Sequence, residues 1–199
     1  GYTHCCIEDL SIMRTIPNLN IICPADCLEL GKILDDCAFR DRGPSYIRLT
    51  GIPGSKSLYE KDYKYKFGKN TIISKGSDVL ILSHGSILGE IKSSLEILNK
   101  KKISAKVINI SSIKPIDKNI SNIIKKFRNV ITIEEHTSMG GLGMIISEII
   151  AKHKINTNLR TISLPDKFGP TGNYDYLLNH YGLNSSGIAK EVSKFIKKK

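Results

Sequence analysis

The sequence predicts an α/β fold in which a mostly parallel sheet carries helices on both faces. Three observations predict it. From residue 69 onward, apolar runs of strand length alternate with helical segments whose apolar residues recur every three or four positions. The first fifty residues repeat this alternation in an αβαβ run. Glycine-bearing turns join strands to helices at His84-Gly85-Ser86, Gly140-Gly141-Leu142-Gly143 and Phe168-Gly169-Pro170-Thr171-Gly172. Alternation of this kind builds parallel strands, and ligands of such sheets bind at the carboxyl ends of the strands.

Taken in order, Ile7, Leu10 and Met13 suit one face of a short helix ended by Pro17. Leu19 to Cys23 reads as a short strand. Asp26 opens a helix, and Glu29 three residues on completes a capping-box pattern. Leu30, Ile33, Leu34 and Cys37 give that helix one buried face. Arg42-Gly43-Pro44 turns the chain into a strand at Tyr46 to Leu49. Residues 53–68 read as a linker. Further strands are expected at Asn70 to Ile73, Val79 to Leu82, Lys106 to Ile110, Val130 to Ile133 and Leu159 to Ile162. The helices between them carry Ile87, Leu88, Ile91, Leu95 and Leu98, then Ile120 to Phe127, then Leu142 to Ile150. Two more helices, Tyr174 to His180 and Ser185 to Lys197, finish the chain.

Of the 199 residues, 40% are hydrophobic and 25% charged, which excludes a disordered chain. No apolar run reaches the roughly 18 residues of a membrane span, so no membrane association is expected. Five cysteines are too few, and odd in number, for a secreted disulfide scaffold. The expected setting is a reducing one, with the protein soluble and cytoplasmic. The net charge of +11 comes from residues 61–199, mostly as lysine strung along the sequence. Arginine is rare there and tryptophan absent. Base readout and stacking use arginine and aromatics, so no nucleic-acid partner is expected and the lysines read as general surface.

The candidate motifs divide between chemistry and packing. His4, in Gly1-Tyr2-Thr3-His4 ahead of a helix, has the side chain to act as acid, base or charge stabiliser. Cys23 and Cys27 with Cys5 and Cys6 lack a second tight pair, so free thiols are expected rather than zinc, and no metal ligand is assigned. Ser86 reads as a helix N-cap. Gly140 to Gly143 reads as a tight strand-to-helix packing turn. A nucleotide loop is the weaker reading, because Glu134 and Glu135 beside it would repel phosphate.

Together these segments resemble the C-terminal half of the transketolase family. The resemblance is carried by Gly-Tyr-Thr-His with Glu8-Asp9, by Arg14-Thr15-Ile16-Pro17-Asn18, by Cys23-Pro24-Ala25-Asp26 with Glu29, and by Gly43-Pro44-Ser45-Tyr46-Ile47-Arg48-Leu49. It continues through Glu134-Glu135-His136 with Gly140-Gly141-Leu142-Gly143, Asp166-Lys167-Phe168-Gly169 and Tyr181-Gly182-Leu183. These landmarks keep the family's order over essentially all of the chain, and they look most like transketolases encoded as separate N- and C-terminal chains. Deoxyxylulose-phosphate synthase is similar too, but the second arginine of that branch after Gly43-Pro44-Ser45 is missing, and an arginine usual near position 51 in sugar-phosphate-binding transketolases is absent.

The resemblance implies that residues 1–53 are the C-terminal part of an α/β pyrimidine-binding domain, 54–68 a linker and 69–199 the transketolase C-terminal domain. It implies thiamin diphosphate and Mg²⁺ in the complete enzyme, with none bound by this chain alone. The diphosphate-binding segment and the other half of the pyrimidine-binding segment would be supplied from outside it. It implies ketol transfer between sugar phosphates in a homodimer, with the C-terminal domain packing the dimer and holding no catalytic residue. His4 becomes the catalytic residue, hydrogen-bonding the charge that develops on the donor ketose. Thr3 and His4 become cofactor-binding residues, and Arg48 the candidate substrate-binding residue. The rivals are deoxyxylulose-phosphate synthase, a 2-oxoacid dehydrogenase β-chain, and a non-catalytic dimerisation or regulatory module whose Gly140–Gly143 loop takes a small anion.

Overall fold

Two sheets stand side by side in the computed structural model, which describes residues 6–50 and 57–197. The first unit runs α1 (Asp9–Met13), β1 (Asn20–Ile22), α2 (Cys27–Phe39) and β2 (Ser45–Ile47), with β1 and β2 parallel. The second runs β3 (Thr71–Ser74), β4 (Val79–Ser83), α3 (Leu88–Lys100), β5 (Ala105–Asn109), β6 (Ser112–Lys114), α4 (Ile120–Ile124), β7 (Asn129–Thr137), α5 (Leu142–Lys152), β8 (Asn158–Leu164), α6 (Tyr174–Tyr181) and α7 (Ser185–Lys197). Its five-stranded sheet has the order β3-β5-β4-β7-β8, and β5, β4, β7 and β8 are parallel. The mostly parallel α/β fold is as expected.

Two strands depart from the simple pattern. β3 runs antiparallel to β5. Only residues 75–78 separate β3 from β4, too few for the crossover that parallel strands need. β6, not foreseen, leaves the second unit and pairs antiparallel with β1, giving the sheet β2-β1-β6. Its apolar content is a single Ile113, so no local pattern announces it. The Cys23 amide donating to the Ser111 carbonyl at 2.7 Å helps to fasten it.

Alternation along the central strands explains the two cores. Val79 and Ile81 of β4 face α3 and α7, where Ile91, Leu98, Ile188 and Val192 close over them. Leu80 and Leu82 face the other way, onto α4 and α5. Leu10, Ile21 and Cys23 of the first unit enter this second core, so the two units share apolar packing.

The capping box at α2 forms. Asp26 accepts from the Glu29 amide at 2.8 Å, and the Glu29 carboxylate reaches back to the Ala25 amide at 2.8 Å. Glu29 also accepts from both Asn109 Nδ2, at 3.0 and 3.1 Å, and Tyr63 Oη, at 3.0 Å. Burial pushes its carboxyl above the usual range, against those hydrogen bonds. The stretch read as a linker is fastened in its described part: Leu58 and Tyr59 donate their amides to Asp26, and Tyr59 stacks on Tyr63. One expectation about α2 fails: Ile33 is buried, but Leu34 is exposed and Leu30 and Cys37 are half-buried. Phe39 stands 83% exposed on the same helix.

The lysines strung along the sequence gather in space. Lys75 precedes β4, Lys100, Lys101 and Lys102 precede β5, Lys125, Lys126 and Arg128 precede β7, and Lys152 and Lys154 flank the turn before β8. All are exposed at the amino ends of parallel strands, with Asp78 among them. Among the described residues none of these cations sits in an ion pair.

Candidate functional site

The carboxyl end of β7 organises the site. Its pairing with β8 shifts register between Ile133 and Thr137, a bulge that re-aims the three side chains between. Glu134 turns inward, fully buried, and accepts from the amides of Leu142 at 2.7 Å and Gly143 at 2.9 Å. A carboxylate there satisfies two of the free N–H groups of α5 and complements the helix dipole. The glycines follow from this: a Cβ on Gly141 would lie 2.3 Å from Glu134 Oε2, and Gly140, at φ +75°, presses against Ser11. The turn is a packing turn. The small-anion reading of Gly140–Gly143 is overturned, because the chain's own carboxylate occupies the helix N-terminus.

Beneath Glu134 lies His84, 1% exposed at the end of β4, with Nε2 3.8 Å from Glu134 Oε2. Burial disfavours its imidazolium, but Cys23 and Glu134 beside it outweigh burial and push it up to about 9. His136, also buried, behaves oppositely: burial holds it below its ordinary value. Its Nδ1 lies 2.8 Å from the Thr137 carbonyl, which can only accept, so that nitrogen carries the proton. Ser86 is not a cap. Ile87 holds that position without a side-chain bond, and Ser86 Oγ instead donates to Glu135 Oε2 at 3.0 Å.

Arg48, just after β2, links both units. Its Nε donates to Asp9 Oδ2 at 2.9 Å and Oδ1 at 3.1 Å. Its Nη2 donates to the carbonyls of Cys6 and Glu135, each at 3.0 Å. Tyr46 Oη donates to Asp9 at 2.9 Å, and burial, with Asp9, pushes that phenol up to about 12. From the other side, the Thr137 amide donates to the Ile7 carbonyl at 2.8 Å. Beside this network opens a cavity of about 220 Å³, lined by Cys6, Asp9, Arg48, Glu135, Tyr174 and apolar side chains such as Leu177. Tyr174 Oη lies 3.3 Å from Ser86 Oγ, and burial raises its pKa, with Glu135 adding to the effect.

Of the residues the sequence singled out, Thr3 and His4 lie outside the described residues. Arg48 lines the cavity, with its guanidinium already engaged by Asp9 and two carbonyls. Asp9, Glu135 and Tyr174 were not marked as site residues. Asp9 and Glu135 stood inside the family-like motifs, a usable signal. Tyr174 carried none. Cys23 is buried and Cys27 exposed, both free thiols. Among the described residues no three metal-ligating side chains converge. Nor do those residues fit thiamin diphosphate by themselves: Glu134 fills the N-terminus of α5, and no carboxylate cluster stands ready for its Mg²⁺.

Residues 68–188 match the model of the family described as transketolase, C-terminal domain. A Methanocaldococcus jannaschii protein described as a transketolase C-terminal section is 36% identical over 200 residues, covering 100% of this chain and 62% of that protein. A 1-deoxy-D-xylulose-5-phosphate synthase of Dictyoglomus turgidum is 38% identical over 194 residues, covering 96% of this chain and 31% of the synthase. A split-gene transketolase solved as an inactive β4 tetramer superposes with a TM-score of 0.85 at 29% identity, covering 97% of this chain and 62% of that one. The chain thus spans less than two thirds of each of these relatives. It belongs to the transketolase family and carries that family's C-terminal domain.

Proposed function

We propose that the chain works as the C-terminal portion of a thiamin-diphosphate- and Mg²⁺-dependent transketolase of the pentose-phosphate type. The enzyme moves a two-carbon ketol unit from a ketose phosphate to an aldose phosphate, in the cytoplasm. The observation that carries this reading is the open first sheet. β2 is an edge strand whose residues are only half-buried, and α2 beside it exposes Leu34 and Phe39. A three-stranded layer with an uncovered edge strand fits the second half of a pyrimidine-binding domain whose first half is supplied from elsewhere. In this reading residues 1–53 are that half, 54–68 the linker and 69–199 the C-terminal domain, with β6 of the latter completing the sheet of the former.

The cofactor supplies the carbanion chemistry when bound, and segments outside this chain hold its diphosphate and Mg²⁺. Thr3 and His4 would bind the cofactor, and His4 would hydrogen-bond the substrate oxygen on which charge develops. The enzyme is a homodimer of such assemblies.

Ketol transfer by the chain combined with its upstream segments, in the presence of thiamin diphosphate and Mg²⁺, tests the reading. His4→Ala should abolish most of that activity. Unchanged transfer would remove His4 from the site. The similarity to the Dictyoglomus turgidum synthase favours one second reading, a deoxyxylulose-phosphate synthase-type enzyme. Consumption of pyruvate together with an aldose phosphate would select it.

A further inference from the structure

We infer that Arg48 is a positioning residue, locking the backbone just after His4 to the C-terminal sheet, and that it does not bind the sugar phosphate. The inference rests on the reading of His4 as an active-site residue.

The geometry carries it. The segment leaving His4 is gripped at two consecutive carbonyls from two directions. Cys6 O accepts from Arg48 Nη2 at 3.0 Å, and Ile7 O accepts from the Thr137 amide at 2.8 Å. Arg48 is itself aimed by Asp9, whose carboxylate takes Nε at 2.9 and 3.1 Å, and by the Glu135 carbonyl at 3.0 Å. Asp9 is fixed in turn by Tyr46 Oη. The Arg48 side chain is 11% exposed and that of Asp9 6%, so neither is a loose surface partner. A planar guanidinium bridging a carboxylate and two carbonyls is a rigid joint, which a point charge cannot reproduce. Thr137 and Glu135 both belong to the bulged end of β7. The C-terminal domain thereby holds the backbone at Cys6 and Ile7, the second and third residues after His4.

Charge argues against phosphate binding at the same place. The cavity lining holds the carboxylates of Asp9 and Glu135 against the single guanidinium of Arg48. The Nε hydrogen and both Nη2 hydrogens of that guanidinium are already committed. A sugar phosphate entering here would meet net negative charge at short range.

The test uses the complete enzyme with Arg48→Met and Asp9→Asn. Positioning predicts that both variants lose kcat by roughly 10–100-fold while KM stays near the wild-type value. The loss should be equal for a phosphorylated acceptor and its unphosphorylated counterpart. A phosphate ligand would instead show a KM rise confined to the phosphorylated acceptor in Arg48→Met, with Asp9→Asn unharmed. That result overturns the inference. Arg48→Lys keeps the charge and guards against misfolding of the methionine variant. It should also lose kcat, and full retention of kcat counts against positioning. Hydrogen exchange on this chain supplies a readout without turnover: the Thr137 amide should exchange faster in Arg48→Met than in wild type. Unchanged exchange overturns the tether even if kcat falls. Should the wild-type complete enzyme transfer no ketol unit, the proposed function fails, while the exchange measurement still decides the tether.

Discussion

His84 and Glu134 face each other at 3.8 Å, Nε2 to Oε2, with both side chains sealed from solvent. His84 sits at the end of β4 and Glu134 at the bulge of β7, so the pair spans neighbouring parallel strands. Cys23, following β1, lies near enough to help raise the pKa of the same imidazole and so brings the first unit into the arrangement. The raised pKa of His84 sets this imidazole to pair with Glu134 across the two strands.

A pH dependence of stability follows. The folded His84 pKa of about 9 lies above its ordinary value of 6.5. Its contribution is fully present below about pH 6.5 and is lost as pH rises through about 9. The shift corresponds to roughly 3 kcal/mol. Thermal melts of wild type should therefore show a falling Tm across this window, and His84→Gln should flatten that slope. Parallel slopes for the two proteins would show His84 to be neutral throughout.

Removing the Glu134 carboxylate should be among the costlier single changes. Glu134→Ala leaves the Leu142 and Gly143 amides buried without acceptors, at about 2–5 kcal/mol. Glu134→Gln, which keeps an acceptor for one of the two amides but turns an NH2 donor toward the other, should cost less than Glu134→Ala but at least half as much. Gly141→Ala should destabilise by a different route, since its methyl would meet Glu134 Oε2. Denaturant unfolding of the three variants ranks them, and an unharmed Glu134→Ala would show that α5 needs no such cap.

Glu29 makes a second buried hub, with donors from Ala25, Tyr63 and Asn109. Glu29→Ala strands these donors and should cost on the order of 3 kcal/mol or more. It should also loosen the stretch around Tyr59 and Tyr63, exposing it to limited proteolysis. Cleavage at the same rate as in wild type would place the strength of that joint elsewhere.

The lysine-rich amino ends of the strands repel one another. Raising ionic strength from low salt to about 0.5 M should lift Tm, because exposed like charges are screened over a few ångströms. A rise of roughly 2–4 °C would match about 1 kcal/mol for a chain of this size. Lys101→Glu combined with Lys126→Glu should raise stability at low salt and blunt the salt response. A salt-insensitive wild type would mean that the lysines sit too far apart to interact.

The exposed Phe39 bears on association. Phe39→Ser should leave the melting of this chain within about 0.5 kcal/mol of wild type, since the ring is exposed. In the proposed assembly it should weaken binding of the upstream segment. Equal binding of the two forms would mean that Phe39 stays uncovered in the complete enzyme.

The sequence by itself determined the alternation of strands and helices, because a strand or helix of ordinary length writes its own period in neighbouring residues. It also determined the cap at Asp26 and Glu29, whose partners lie within four residues of each other, and the family, whose landmarks survive in order. Tertiary structure alone decided the pairings of the polar groups. Arg48 finds the Glu135 carbonyl 87 positions away, and Glu29 finds Asn109 across 80. Ser86 has the local chemistry of a cap, yet its hydroxyl goes to Glu135, brought alongside only when β4 and β7 pair. The same holds for β6, whose three residues become a strand by lying against β1, and for the lysines, which become a pole because parallel connections return to the same end of the sheet. Local periodicity is a property of the backbone and its nearest neighbours. The partner of a charged or hydrogen-bonding side chain is a property of whichever distant segment the packed sheet sets beside it.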